Sequence, residues 1–195
     1  MKKFAAMTLC AAACVACSQP GAEAGVGVRT QQKRAPQMEA SAVTLCGKNE
    51  AIIFSCQVKN SLKLASLCAS NTSPIRQSNV YYAFGIPAKV ELHYPDRPTP
   101  PREVFQRTHL VYAGPTGAFA YSFSRAGVEY VLYSISGADH FEKQGLLAYR
   151  SGEHKALADL ECKEGTVIET ESPELTDFTM TWPENSELAA HGLPF

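Results

Sequence analysis

From about residue 50 the chain alternates apolar and polar residues with a period of two, in short runs separated by turn formers. No other feature limits its fold as strongly. Ile52, Phe54, Cys56 and Val58 fall on one face of an extended segment, with Ser55, Gln57 and Lys59 on the other. After the turn material Asn60-Ser61, the residues Leu62, Leu64, Ser66 and Cys68 share a face of a second strand, so residues 51–69 read as a hairpin. Further strands are expected at 80–84, 89–94, 105–113, 118–124, 128–136, 145–150 and 156–162. In the second of these, Val90, Leu92 and Tyr94 face one way and Lys89, Glu91 and His93 the other. The Phe119, Tyr121 and Phe123 series alternates as cleanly.

No stretch sustains a 3.6-residue period. The helix candidates are short: 101–106, with Pro101 at the first helical position, and 186–190. The proline-rich stretch 95–101 cannot pair in a ladder and is expected as a surface loop. About eight strands at roughly ten-residue spacing predict an all-β fold, a small antiparallel barrel or sandwich of meander type.

Composition narrows the function classes. Lys plus Arg is 18 against 19 Asp plus Glu, a formal net charge of −1. A nucleic-acid binder needs a concentrated positive field for phosphates, so nucleic acid is not an expected partner. Seven cysteines in 195 residues are many for a compartment that keeps thiols reduced.

The N-terminal residues account for that compartment. Lys2 and Lys3 precede an apolar run from Phe4 to Ala16. Such a run is too short to span a bilayer as a helix, which takes about 20 residues, and it matches a secretory signal. Val15-Ala16-Cys17-Ser18 resembles the bacterial lipobox, with Cys14 where the pattern usually has Leu. Cys17 is therefore the expected site of lipidation, with cleavage after Ala22-Glu23-Ala24 as the competing pattern. The expected organisation is a signal peptide at 1–16, a flexible tether at 17–43, a β domain at 44–169 and a loosely held tail at 170–195. Ser18 next to the modified position resembles outer-membrane lipoproteins of Gram-negative bacteria. The alternative location is soluble, periplasmic or secreted.

Four cysteines remain after the leader and its anchor: Cys46, Cys56, Cys68 and Cys162. In an exported chain they suggest two disulfides with three connectivities. The hairpin reading puts Cys56 and Cys68 on one face and close in register, which favours Cys56–Cys68 and leaves Cys46–Cys162. Zinc ligands usually come in pairs two to four residues apart, a spacing these cysteines lack, so no metal or cofactor is expected.

The chain carries no G-x-S-x-G elbow, H-E-x-x-H, phosphate-binding loop or dinucleotide fingerprint. Among the five histidines, the densest polar cluster is Asp139-His140 with Glu142, expected as a solvated turn. His93 is expected on the solvent face of a strand, and His109 half-buried in one. The many tyrosines and phenylalanines are expected mainly in the core, with an exposed subset able to form a binding patch.

Phe54-Ser55-Cys56, Ser66-Leu67-Cys68, Val80-Tyr81-Tyr82 and Val90-Glu91-Leu92-His93-Tyr94-Pro95, with Leu160-Glu161-Cys162, resemble a family of uncharacterised exported bacterial proteins. Ser124, Gly127 and Tyr130, followed by Lys143 and Gly145 before Cys162, are similar in order to the membrane-bound inhibitors of c-type lysozyme. That likeness implies a small lipidated, disulfide-closed barrel in which Ser124 and Lys143 contact the partner. The expectation is thus a non-enzymatic, lipid-anchored envelope protein. Its β domain binds an envelope or host protein, with lysozyme inhibition and periplasmic hydrolysis as alternatives.

Overall fold

A computed structural model describes residues 44–194, residue 154 excepted; the expected signal peptide 1–16, Cys17 and the expected tether 17–43 lie outside the described residues. The chain forms two five-stranded antiparallel sheets. The first holds β1 (Glu50–Gln57), β2 (Leu64–Ser70), β3 (Val80–Ile86) and β4 (Lys89–Tyr94), plus the short β10 (Ile168–Glu169), in the order β10-β1-β2-β3-β4. The second is a meander of β5 (Gln106–Val111), β6 (Gly117–Arg125), β7 (Val128–Ser136), β8 (Glu142–Arg150) and β9 (Ala156–Glu161). The sheets do not close on each other, so the fold is a sandwich rather than a barrel.

The alternation seen in the sequence becomes the interior. Phe54, Ala65, Leu67 and Tyr82 from the first sheet pack with Tyr121, Phe123, Leu132 and Leu146 from the second. Phe123 is the hub. Its ring stacks on Tyr94 at 4.6 Å and Tyr130 at 5.0 Å between centroids, and meets Tyr82 at 5.0 Å and Phe105 at 5.7 Å. Offset and edge contacts of this kind stabilise beyond the area they bury.

The second sheet is buried on its outer face as well. Leu110, Ala120, Val131, Tyr133, Leu147 and Tyr149 form a second layer under Leu188 and Leu193. Burial on both faces explains the nearly unbroken apolar run in β7, where Val131–Ile135 is buried throughout.

That covering corrects the expected loose tail. Residues 170–194 belong to the same compact unit as the strands and form α2 (Pro173–Met180) and α3 (Ser186–His191). Leu175, Phe178 and Trp182 are spaced for one helical face, and all three are buried in the intersheet core. The Trp182 indole meets Phe105, Phe178 and Tyr121 at 5.7, 5.8 and 5.9 Å. Both helices are capped. Ser172 Oγ accepts the Leu175 N–H at 3.4 Å, and Asn185 Oδ1 accepts the Glu187 and Leu188 N–H groups at 3.1 Å each. The abundance of Glu, Thr, Ser and Pro hid this spacing. The candidate helices at 101–106 and 186–190 appear as α1 (Pro101–Val104) and α3.

The cysteine pairing also differs from expectation: Cys46 joins Cys68, and Cys56 joins Cys162. The cause is register. Cys56 stands opposite Ala65 and Ser55 opposite Ser66, so Cys56 shares the core face with Ala65 and Leu67, while Cys68 lies on the other face. A one-residue difference in register exchanges the faces of a strand. On the outer face, Leu45 N–H donates to Ser66 Oγ at 2.9 Å, bringing Cys46 to Cys68. On the inner face, Val58 bridges Cys162 at the end of β9.

Non-reducing peptide mapping should recover Cys46–Cys68 and Cys56–Cys162; a Cys56–Cys68 peptide would overturn the register. Removing Cys56–Cys162, which closes a separation of 106 residues, should cost about 5 kcal/mol in the loop-entropy picture. Removing Cys46–Cys68, at 22 residues, should cost about 3. Trp182→Ala should cost about 3–5 kcal/mol by denaturant titration. A loss within about 0.5 kcal/mol would return the C-terminal segment to a loose tail.

Candidate functional site

Ser124, one of the two residues singled out for partner contact, lies in a surface groove on the outer face of the second sheet. The two-residue turn Ala126-Gly127 sets its surroundings. Both residues have positive φ, 52° and 75°, the geometry that matches the twist of a tight hairpin. This turn places Ser124 opposite Glu129, and the β7–β8 pairing places Glu129 opposite Tyr149. One row across three strands therefore reads Ser124, Glu129, Tyr149.

Arg102 and Glu103 of α1 line the groove with this row, together with Asn185, Ser186 and Glu187 at the start of α3, and its volume is about 380 Å³. A buried polar seam holds the helix against the sheet. Asn185 N–H donates to Thr108 Oγ1 at 2.9 Å, Asn185 Nδ2 donates to Ser122 Oγ at 3.3 Å, and Ser122 Oγ donates to Gln106 Oε1 at 3.3 Å. Thr108 and Ser122 are fully buried, so these bonds form in a low dielectric and resist loss.

The groove is acidic. Glu103, Glu129 and Glu187 line it against one guanidinium, that of Arg102. Glu129 accepts a hydrogen bond from Ser151 Oγ at 3.0 Å. Glu187 stands 3.9 Å from the His191 imidazole. Burial pushes the Tyr149 hydroxyl up to about 12, and the carboxylates of Glu129 and Glu187 add to the shift. Among the described residues lining the groove there is no histidine, so Ser124 has no imidazole base beside it there.

Lys143, the other singled-out residue, stands elsewhere. It pairs with Ile135, whereas Ser124 pairs with Glu129, so six residues of β7 separate them, about 20 Å along a strand. The structure does not bring the two into one site. Lys143 lines a separate cleft with Lys59, His140, Glu142 and Glu161. There the Lys59 ammonium, 2.6 Å from the Glu161 carboxylate, holds that carboxyl below its usual range, and Lys143 adds to the effect. Gly145 has a packing role. A side chain there would meet the Tyr133 hydroxyl at 2.5 Å and the Leu160 carbonyl at 2.7 Å.

Asp139 and His140 sit in an exposed turn with φ of 55° and 60°. His93 lies on the solvent face as expected, stacked on Tyr81 at 4.8 Å. Tyr81 donates to the Glu50 carboxylate, and burial followed by that hydrogen bond pushes its hydroxyl up to about 12. His109 is exposed rather than half-buried, in a cleft with Phe119 and Glu169. The tyrosines and phenylalanines are buried or half-buried except Phe141, at 51% exposure among the described residues, so no exposed aromatic patch forms there. An apolar recess of about 170 Å³ lies between the sheets, lined by Phe84, Leu92, Tyr130, Leu146 and Leu160 among others. No group of three or more His, Cys, Asp or Glu side chains converges as a metal site among the described residues.

Glu103, Tyr149 and Glu187 carried no local signal in the sequence. Only the Glu129–Ser124 pairing was readable, from the Ala126-Gly127 turn. Comparisons with protein-family models, curated proteins and solved structures found no match to this chain.

The raised hydroxyls of Tyr81 and Tyr149 predict a pH dependence. The neutral phenol is favoured by the fold, so their contribution is fully present below pH 10, the ordinary value for a free tyrosine, and is lost as pH rises toward about 12. Denaturant midpoints should be flat through neutral pH and fall above about pH 10, and Tyr149→Phe should shallow that fall. A midpoint that holds steady to pH 12 would contradict it.

Proposed function

We propose that this chain is an exported, lipid-anchored binding protein of the bacterial envelope, whose sandwich presents the acidic groove to a protein partner without catalysing a reaction. The observation that carries the reading is the groove itself. Its floor lies on strands held on both faces, its α3 wall is fixed by the buried Thr108–Ser122–Asn185 seam, and its carboxylates have no Lys or Arg salt bridge among the described residues. Two disulfides support export, since such bonds persist in oxidising compartments. No helix among the described residues is long and apolar enough to cross a membrane. The lipobox-like Cys17 is therefore the feature that supports anchoring. A single acyl chain binds membranes marginally, while two or more hold a protein stably.

Two measurements test the reading. The wild type should partition with membranes and remain there through a salt wash. Cys17→Ala should move to the soluble fraction. The anchor is wrong if Cys17→Ala still carries lipid or if the mature chain begins at Gly25. For binding, a photo-crosslinking residue at position 124 in intact cells should give a discrete protein adduct. The same residue at position 62, where Leu62 is 79% exposed outside the groove, should give none. Equal adducts at both positions, or none at 124, would remove the binding reading.

A further inference from the structure

Tyr149 is the most unusual side chain in the groove. It is 5% exposed, yet its hydroxyl has no hydrogen-bond partner among the described residues, although its ring lines the acidic recess. The hydroxyl is not among the fully enclosed unpartnered atoms, so it opens onto solvent at the recess and can bond to whatever enters there. Tyr149 lines the groove and, beside it, a much smaller recess bounded by Glu153 and Leu188. Glu129 stands directly opposite Tyr149 on the neighbouring strand, a pairing that sets side chains about 5 Å apart at Cβ, and Glu187 approaches from α3. Glu103 completes the carboxylates from the α1 wall.

No lysine or arginine forms a salt bridge with Glu103, Glu129 or Glu187 among the described residues. Three carboxylates facing one recess repel one another, and Arg102 is the one lysine or arginine among the described residues lining it. A cation entering between them would relieve that repulsion. A planar guanidinium could also donate to a carboxylate and to the phenol oxygen together. Aromatic rings attract such cations through their faces, and Tyr94 lines the same groove.

We infer that the groove is a receptor for a basic side chain, arginine or lysine, presented by the partner protein, with Glu129 and Glu187 as the charge partners and Tyr149 as the hydrogen-bonding floor. This rests on the groove being the binding surface proposed above, and it names the chemistry that surface selects. Arg102 is the opposing element. It carries the ligand's own charge and weakens every cation that enters.

The test uses the isotope-labelled chain and backbone amide shifts, with arginine amide as the probe and citrulline amide as its uncharged analogue. Arginine amide should bind with a dissociation constant on the order of 1 mM and shift Ser124, Glu129, Tyr149 and Ser151. Citrulline amide should leave them unmoved. Tyr149→Phe removes an oxygen with no partner in the protein, so the fold should be retained and the affinity should fall about fivefold. Glu129→Gln with Glu187→Gln should weaken binding by about tenfold or more, and Arg102→Gln should strengthen it about twofold. Equal shifts with both probes, shifts away from the groove, or an affinity unchanged in the Glu129→Gln/Glu187→Gln chain would overturn the inference.

The two readings fail separately. A crosslink at position 124 without arginine amide binding rejects the cation receptor alone. Arginine amide binding without a crosslink rejects the protein partner and leaves a site for free cationic molecules.

Discussion

The bond from Cys56 to Cys162 is the constraint on which the rest of the arrangement leans. It joins β1 of the first sheet to the end of β9 in the second, beside the isolated Val58–Cys162 bridge that links the two sheets at this corner. The backbone follows it. Lys59 N–H donates to the Glu161 carbonyl at 2.8 Å, and Lys163 N–H to the Gln57 carbonyl at 2.7 Å. With that corner pinned, the inner faces have one way to meet, and Phe123 becomes the ring on which Tyr82, Tyr94, Phe105 and Tyr130 converge. A core of fitted aromatics tolerates little sliding, because interiors pack as densely as crystals.

Burying the second sheet on both faces then dictates the C-terminal segment. An outer layer of Leu110, Val131, Tyr133 and Leu147 would be an exposed apolar patch without Leu188 and Leu193 over it. The turn between α2 and α3 enters this layer through Asn185, and the cost of burying an amide is offset by its bonds to Thr108 and Ser122. The same seam fixes the start of α3 and hence Glu187. The groove is thus a by-product of covering the sheet, and its geometry inherits the rigidity of that cover.

Net charge would not have suggested an acidic recess. The chain is nearly balanced, and Glu103, Glu129 and Glu187 come from α1, β7 and α3, far apart in sequence. Balance overall is compatible with a local field, because potentials at a cleft depend on which charges converge there rather than on their sum. The Lys59–Glu161 and Lys63–Glu91 pairs are exposed and neutralise charge outside the groove. Exposed pairs of this kind contribute little to stability, so their effect is on where charge remains.

The residues alone determined the all-β class, the meander of the second sheet and most strand positions. A period of two is a local property, and β4 and β7 run over the same residues the alternation marks. They also determined that four cysteines would pair, but not which. That depended on the register of β1 against β2, in which Cys56 stands opposite Ala65 and shares its face while Cys68 lies on the other. Of the two C-terminal helices, α2 was hidden for a related reason. Leu175, Phe178 and Trp182 form a face only once an apolar surface exists for them to cover, and that surface belongs to the two sheets. Ser124 and Lys143 were visible as residues, yet their separation along β7 was decided by strand pairing. The acidic groove belongs wholly to tertiary structure, because carboxylates distant in the chain share a field only after packing sets the distances between them.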